Sequence, residues 1–269
     1  MVSSAAPAAP SQTSSLLVVR GLTKRYSGLV ALADYTLDLA PGTIHGVIGP
    51  NGAGKTTLFN LISGAHLPSA GTIHLQGLEI THLRAFRVAR MGIARTFQNI
   101  RLFDDMSVID NVMVAAQRHV PGSFWSTILS TSGFGRREAE IRARSARLLD
   151  LVGLAGRSDR LARSLPYGDQ RRLEIVRAVA VEPRILLLDE PNAGMHPSET
   201  AELLTLIRRL RDELGITIIL VAHDIPLVMN LCDRIQVLNY GVLIAEGDPA
   251  TVRANPDVIA AYLGKAKHA

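Results

Sequence analysis

The sequence predicts an α/β fold: a mostly parallel sheet carrying a phosphate-binding loop, an antiparallel β-subdomain, and an inserted α-helical subdomain. Three observations carry this. Gly49–Pro50–Asn51–Gly52–Ala53–Gly54–Lys55–Thr56 fits G-x-x-x-x-G-K-[ST], with the β-rich run Thr43–Ile48 before it and the helical run Thr57–Ile62 after it. Arg184–Leu188, apolar from its second residue, and Ile216–Val221, apolar but for Thr217, read as parallel strands buried on both faces. Each of those runs ends in polar residues, Asp189–Glu190 and Ala222–His223–Asp224, at the strand tip where α/β sheets bind ligands.

At 269 residues, 47% of them apolar, the chain suits one large domain or a core with an inserted subdomain. Its net charge of +5 permits an anionic partner, but Lys and Arg are dispersed, so no nucleic acid or membrane surface is singled out. The one cysteine, Cys232, lies among apolar residues; it reads as a small buried hydrophobe in a reducing compartment. No stretch reaches the ~20 apolar residues of a membrane span, so any membrane role has to come through partners. Met1–Ser15, all Ala, Pro, Ser and the like, has no charged start and no apolar block. It reads as a disordered tail and not as a secretory signal, and the chain is expected in the cytoplasm.

In order, Leu16–Arg20, Leu22–Tyr26, Leu29–Leu32 and Tyr35–Leu39 alternate as half-buried antiparallel strands. Pro41–Gly42 turns into the strand that feeds the phosphate loop. After the first helix come a strand at Thr72–Leu75 closed by Gly77, a helix over Arg84–Met91, and a short strand Ile93–Gln98 ending on a neutral amide. Ser107 with Asp110 resembles a capping box opening the next helix. Pro121–Gly135, with Phe124, Trp125 and Phe134, reads as an irregular insertion, and Arg136–Leu151 as an Arg-studded helix with a solvated basic face. Glu199–Leu214 is a helix, Arg234–Leu238 and Val242–Ala245 a hairpin about Asn239–Tyr240–Gly241, and Asp248–Pro249 starts a last helix.

The chemistry follows from these placements. In the loop, glycines bend the backbone tightly and its N–H groups converge with the helix N-terminus on one anion. Lys55 is placed for the β- and γ-phosphates and the Thr56 hydroxyl for Mg²⁺. Asp189, beside the loop, suits Mg²⁺ held through its water shell, and Glu190 suits orienting or deprotonating a water; the alternative for this acidic pair is a solvated turn. Tyr26 is either an exposed ring that stacks on a base or a half-buried sheet tyrosine. His223 stands at a strand tip, where a ligand role outweighs a structural one.

The phosphate loop, Gln98, Leu165–Pro166–Tyr167–Gly168–Asp169–Gln170, Asp189–Glu190 and His223, in that order, resemble the ATP-binding subunit of an ATP-binding-cassette transporter, over about Leu16 to Gly264. Ala94–Arg95–Thr96–Phe97–Gln98–Asn99–Ile100–Arg101–Leu102–Phe103 and the ending through Asn255–Pro256–Asp257 and Ala261–Tyr262–Leu263–Gly264 are similar to one branch, the larger ATPase subunit of high-affinity branched-chain amino acid importers. The resemblance implies a P-loop NTPase core over 16–98 and 166–248, a helical subdomain over 99–165 facing the permease, and a C-terminal helix and tail over 249–269. It implies a dimer sandwiching two ATP with Mg²⁺, each bound by one subunit's phosphate loop (Gly49, Pro50, Asn51, Gly52, Ala53, Gly54, Lys55, Thr56, Thr57) and the other's signature (Leu165, Pro166, Tyr167, Gly168, Asp169, Gln170). Tyr26 then resembles the adenine-stacking aromatic, Gln98 the sensor of Mg²⁺ and water, Glu190 the catalytic carboxylate, and His223 a γ-phosphate contact. Implied partners are two transmembrane permease subunits, a second ATPase subunit, and indirectly a substrate-binding protein, at the cytoplasmic face of the cell membrane, with no nucleic acid.

The chain departs from the pattern at three places. Pro166 replaces the commonest serine, Asp169 puts a negative charge expected near the phosphate, and His196 stands where the branch usually has asparagine. Rival readings are the same ATPase with urea, amide or another amino acid as cargo, a non-transport cassette protein, and a regulatory module without turnover.

Overall fold

A computed structural model describes residues 15–117 and 132–263. The expected tail up to residue 14, the insertion with Phe124 and Trp125, and the chain after residue 263 lie outside the described residues. The strands are β1 (Leu17–Tyr26), β2 (Leu29–Leu39), β3 (Ile44–Ile48), β4 (Ala70–Leu75), β5 (Leu78–Glu79), β6 (Ile93–Arg95), β7 (Ile185–Asp189), β8 (Thr217–Val221), β9 (Arg234–Asn239) and β10 (Val242–Gly247). The helices are α1 (Lys55–Ile62), α2 (Ala85–Arg90), α3 (Val108–Ala116), α4 (Ser132–Leu151), α5 (Tyr167–Ala180), α6 (Pro197–Leu214), α7 (Ile225–Leu231), α8 (Pro249–Ala254) and α9 (Pro256–Leu263).

The strands form two sheets. A six-stranded sheet runs β10-β9-β3-β8-β7-β6, parallel except for β10, and a four-stranded antiparallel sheet runs β2-β1-β4-β5. The α/β expectation holds. Because strand side chains alternate between faces, the apolar runs of β7 and β8 feed two cores. Leu186, Leu188, Ile218 and Leu220 pack with the helices α3, α5 and α6. Ile185, Leu187, Ile219 and Val221 pack with α1 and the antiparallel sheet.

Register decides where the chemistry lies. Val47 of β3 pairs with Val221 of β8, and Val221 with Asp189 of β7. On the far side of β7, Arg95 pairs with Leu187. The phosphate loop, Ala222–His223, Asp189–Glu190 and Thr96–Gln98 therefore leave one edge of the sheet side by side.

Several boundaries differ from expectation. β1 and β2 each run unbroken where the sequence pattern stops, because bulges shift the register around Leu22 and Lys24 and left-handed Gly21 and Asp34 absorb the shift. The strand before Gln98 ends at Arg95, so Gln98 sits in a loop. The short elements β5 and α7 were not anticipated, α4 begins at Ser132, and the terminal helix is two, broken at Asn255 before Pro256. Ser107 does cap α3: its Oγ accepts from the Asp110 N–H at 3.1 Å and its hydroxyl donates to the Asp110 carboxylate at 2.6 Å.

Candidate active site

The loop between β3 and α1 is built by close approach. Gly49 lies so near β9 that a Cβ there would stand 2.1 Å from the Leu238 carbonyl oxygen. Gly54, at φ +103, would put a Cβ 2.6 Å from the Ala31 carbonyl oxygen. Ala53 donates to the Pro50 carbonyl at 3.1 Å and accepts from the Gly241 N–H at 2.9 Å, which pins the loop to the β9–β10 turn. Lys55 is buried, its ammonium donating to the carbonyls of Gly49 at 2.7 Å and Pro50 at 3.0 Å. Thr56 and Asn51 are exposed. A cavity of about 320 Å³ opens over Gly52–Thr57, walled by Leu29, Val30, Ala31 and Tyr240. A glycine loop, a lysine and an apolar flank of this kind suit a phosphate chain with an attached base.

Tyr26 ends β1 half-exposed. Its hydroxyl meets His66 Nδ1 at 2.7 Å, and the Lys24 ammonium lies 5.0 Å from its ring centroid. It is not among the residues walling the cavity. Those walls, Leu29, Val30 and above all Tyr240, 81% exposed at a left-handed φ of 45, escaped the sequence reading. Only the pairing of β9 beside β3 brings that turn to the loop, and no local sequence signal carries it.

At the tip of β7 the residues predicted for catalysis meet. Glu190 has φ +46, an uncommon conformation for a side-chain-bearing residue and of the sort held at functional sites. Its carboxylate accepts from Gln98 Nε2 at 3.3 Å and lies 3.6 Å from His223 Nδ1. Asp224 caps α7 by accepting from the Leu227 N–H at 3.1 Å and from Asn192 Nδ2 at 3.0 Å, fixing the backbone beside His223. Asp189 is 6% exposed and one of its oxygens accepts from Arg95 at 2.8 Å. Arg95 in turn donates to Asn60 Oδ1 at 2.7 Å and stacks between Phe59 and Phe97, 5.5 Å from each ring. Among the described residues no group of three His, Cys, Asp or Glu forms a metal cage. Asp189 and Thr56 offer the kind of oxygen donors that Mg²⁺ takes, one or two from protein with the rest from phosphate and water.

Leu165–Gln170 forms the entry to α5. Asp169 and Gln170 both donate their N–H to the Pro166 carbonyl at 3.0 Å, so the amides of Tyr167 and Gly168 head the helix. The Tyr167 hydroxyl donates to the Ala193 carbonyl at 3.0 Å, and Gln170 Nε2 to the Leu165 carbonyl at 2.9 Å. Gly168 leaves room for Glu199: a Cβ would stand 2.4 Å from its carboxylate oxygen. Asp169 carries the negative charge expected near the phosphate. Its side chain is 5% exposed and turned inward, paired with Arg157 and, at 3.0 Å, with Arg172. Two guanidiniums thus offset its charge. His196 is exposed, and its N–H donates to Glu199 at 2.9 Å at the start of α6.

The pattern of the ABC transporter family matches residues 32–193. The chain belongs to that family. A second pattern, that of branched-chain amino acid ATP-binding cassette transporters, matches residues 242–268. The chain is 47% identical over 93% of its length to the high-affinity branched-chain amino acid transport ATP-binding protein LivG of Escherichia coli K12, covering 98% of that protein. To BraF of Pseudomonas aeruginosa, described by the same function, it is 46% identical over 93% of its length and 98% of that protein's. Among solved structures, the ADP conformation of MJ1267, an ATP-binding cassette of an ABC transporter, matches with a TM-score of 0.81 at 27% identity, over 94% of this chain and 100% of the other. The protein is thus an ATP-binding cassette ATPase with a P-loop NTPase fold.

Proposed function

We propose that this chain is the ATP-hydrolysing subunit of an importer for branched-chain amino acids, acting through separate permease subunits at the cytoplasmic face of the membrane. The observation that carries the catalytic half is the meeting of Glu190, Gln98 and His223 at the sheet edge from which the phosphate loop departs. The cargo rests on the likeness to LivG and BraF and on the matched C-terminal pattern. Among the described residues no helix is long and apolar enough to cross a membrane, which fits a subunit that leaves transport to others.

In this reading the amides of Gly52–Thr57 and the Lys55 ammonium hold the β- and γ-phosphates of ATP, with Leu29, Val30 and Tyr26 toward the base. Thr56 and Asp189 would hold Mg²⁺, which would supply positive charge beside the phosphates. Glu190 accepts the proton of the attacking water as its oxygen bonds to the γ-phosphorus and the bridging oxygen leaves with ADP. Gln98 and His223 orient that water and the γ-phosphate. The Tyr167–Gly168 end of α5 offers its amides and dipole to the γ-phosphate bound by a second ATPase subunit, so ATP joins the two and hydrolysis releases them.

A pull-down from solubilised membranes with this chain as bait tests the assembly. Two multi-span permease subunits and a second ATPase are expected to co-purify. Ribosomal or DNA-associated proteins in their place, with no membrane subunit, would overturn the importer reading and leave the ATPase.

A further inference from the structure

Among the described residues Arg171 is the largest of the fully buried side chains, at 0% exposure one turn into α5. A guanidinium is costly to bury, and both of its terminal nitrogens are directed to one place. Nη1 donates to the Phe97 carbonyl at 2.6 Å and to Glu174 at 2.8 Å. Nη2 donates to the Gln98 carbonyl at 2.9 Å and to the Glu190 carbonyl at 3.1 Å. Glu174 closes the arrangement by accepting from the Phe97 N–H at 3.2 Å.

We propose that Arg171 is a positioning residue for ATP hydrolysis, a buried clamp that sets the Gln98 loop against Glu190 and ties both to α5. This rests on the reading of Glu190 and Gln98 as hydrolytic residues. The three carbonyls it gathers belong to loop residues outside any strand or helix. Two of these residues carry the side chains that meet at 3.3 Å. Glu190, left-handed at φ +46, is held through its N–H by Val221 at 2.8 Å and through its carbonyl by Arg171. The rigid guanidinium fork spreads its donors over acceptors on two separate loops, a geometry that the compact ammonium of a lysine does not reproduce. Because α5 begins with the signature residues, movement of that helix is transmitted through one side chain to Gln98 and Glu190.

A scaffold role alone is separable from this one. Replacing a buried ion pair by apolar groups of similar size is often neutral for stability, so R171M/E174M is expected to fold. Its kcat for ATP is expected to fall about 10- to 100-fold, the scale of a catalytic group displaced by about 1 Å. Its equilibrium affinity for ATP and its melting midpoint are expected to stay near the parent's, and amide exchange at Phe97–Asn99 to quicken. R171K, which keeps the charge against Glu174, is expected to show the same split and decides the matter if the double variant does not fold. Turnover at the parental rate in a folded variant overturns the proposal, as does activity lost only in step with melting or ATP affinity. E190Q serves as the control: if it hydrolyses normally, the reading of Glu190 fails; if it is inactive while the Arg171 variants are not, the clamp alone fails.

Discussion

Glu190 is placed by its backbone as much as by its side chain. The φ of +46 turns the chain sharply after the buried strand, so its carboxylate faces Gln98 and His223 while that of Asp189, one residue earlier, goes to Arg95. Glu190→Gln keeps the size and removes the base; hydrolysis is expected to fall at least ~100-fold, with ATP binding retained and a stable ATP-bound dimer visible by sedimentation. Monomers under MgATP, or undiminished turnover, would count against this role. For Tyr26, change to alanine is expected to weaken ATP binding by about 1–3 kcal/mol, measured by titration, if its ring stacks on the base. Unchanged affinity would leave the base to Leu29, Val30 and Tyr240. The places of Glu190 and His223 at the sheet edge were legible because each follows an apolar strand. Arg171 was not, since on a helix rich in arginine nothing in the sequence separates a buried guanidinium from a solvated one.

Among the elements, α3 shows a local rule at work. Ser107 satisfies an N–H that the helix itself cannot, and its loss to alanine is expected to cost about 1 kcal/mol in denaturant unfolding. The strand–loop–helix unit tolerates less: the Gly49→Ala methyl would collide with β9, and a shift there moves the loop that cradles phosphate. That variant is expected to lose nucleotide affinity as well as stability, and a variant binding ATP as the parent does would contradict the packing described here. Caps and apolar runs made most elements readable. The bulges of β1 and β2, and the seven-residue α7 with Pro226 in its first turn, were not, because tertiary pairing and packing hold them where local pattern is weak.

Across the whole molecule, a buried polar network joins the two sheets between their cores. Tyr35 donates to Gln236 Oε1, and Gln236 Nε2 donates to the Thr36 carbonyl at 3.0 Å and to Glu246 at 2.9 Å; His45 lies buried on the neighbouring strand β3. Burial pushes the His45 imidazole down from 6.5 to about 4. Above pH 6.5 it is neutral folded or unfolded; between 6.5 and about 4 only the unfolded chain takes the proton, so stability is lost as pH falls across that window. The loss from this one group is about 3 kcal/mol. H45Q is expected to regain stability relative to the parent by up to that amount between pH 6.5 and 4, and a constant difference would show that His45 is not the group concerned. Sequence pattern showed the two sheets but not this contact between them, which joins residues some 200 positions apart. The measurement that bears most directly on function is uptake of labelled leucine by cells lacking this chain and supplied with it again. Uptake is expected to return with the parent and not with E190Q. Leucine uptake indifferent to the deletion, or restored by E190Q, would contradict the assignment.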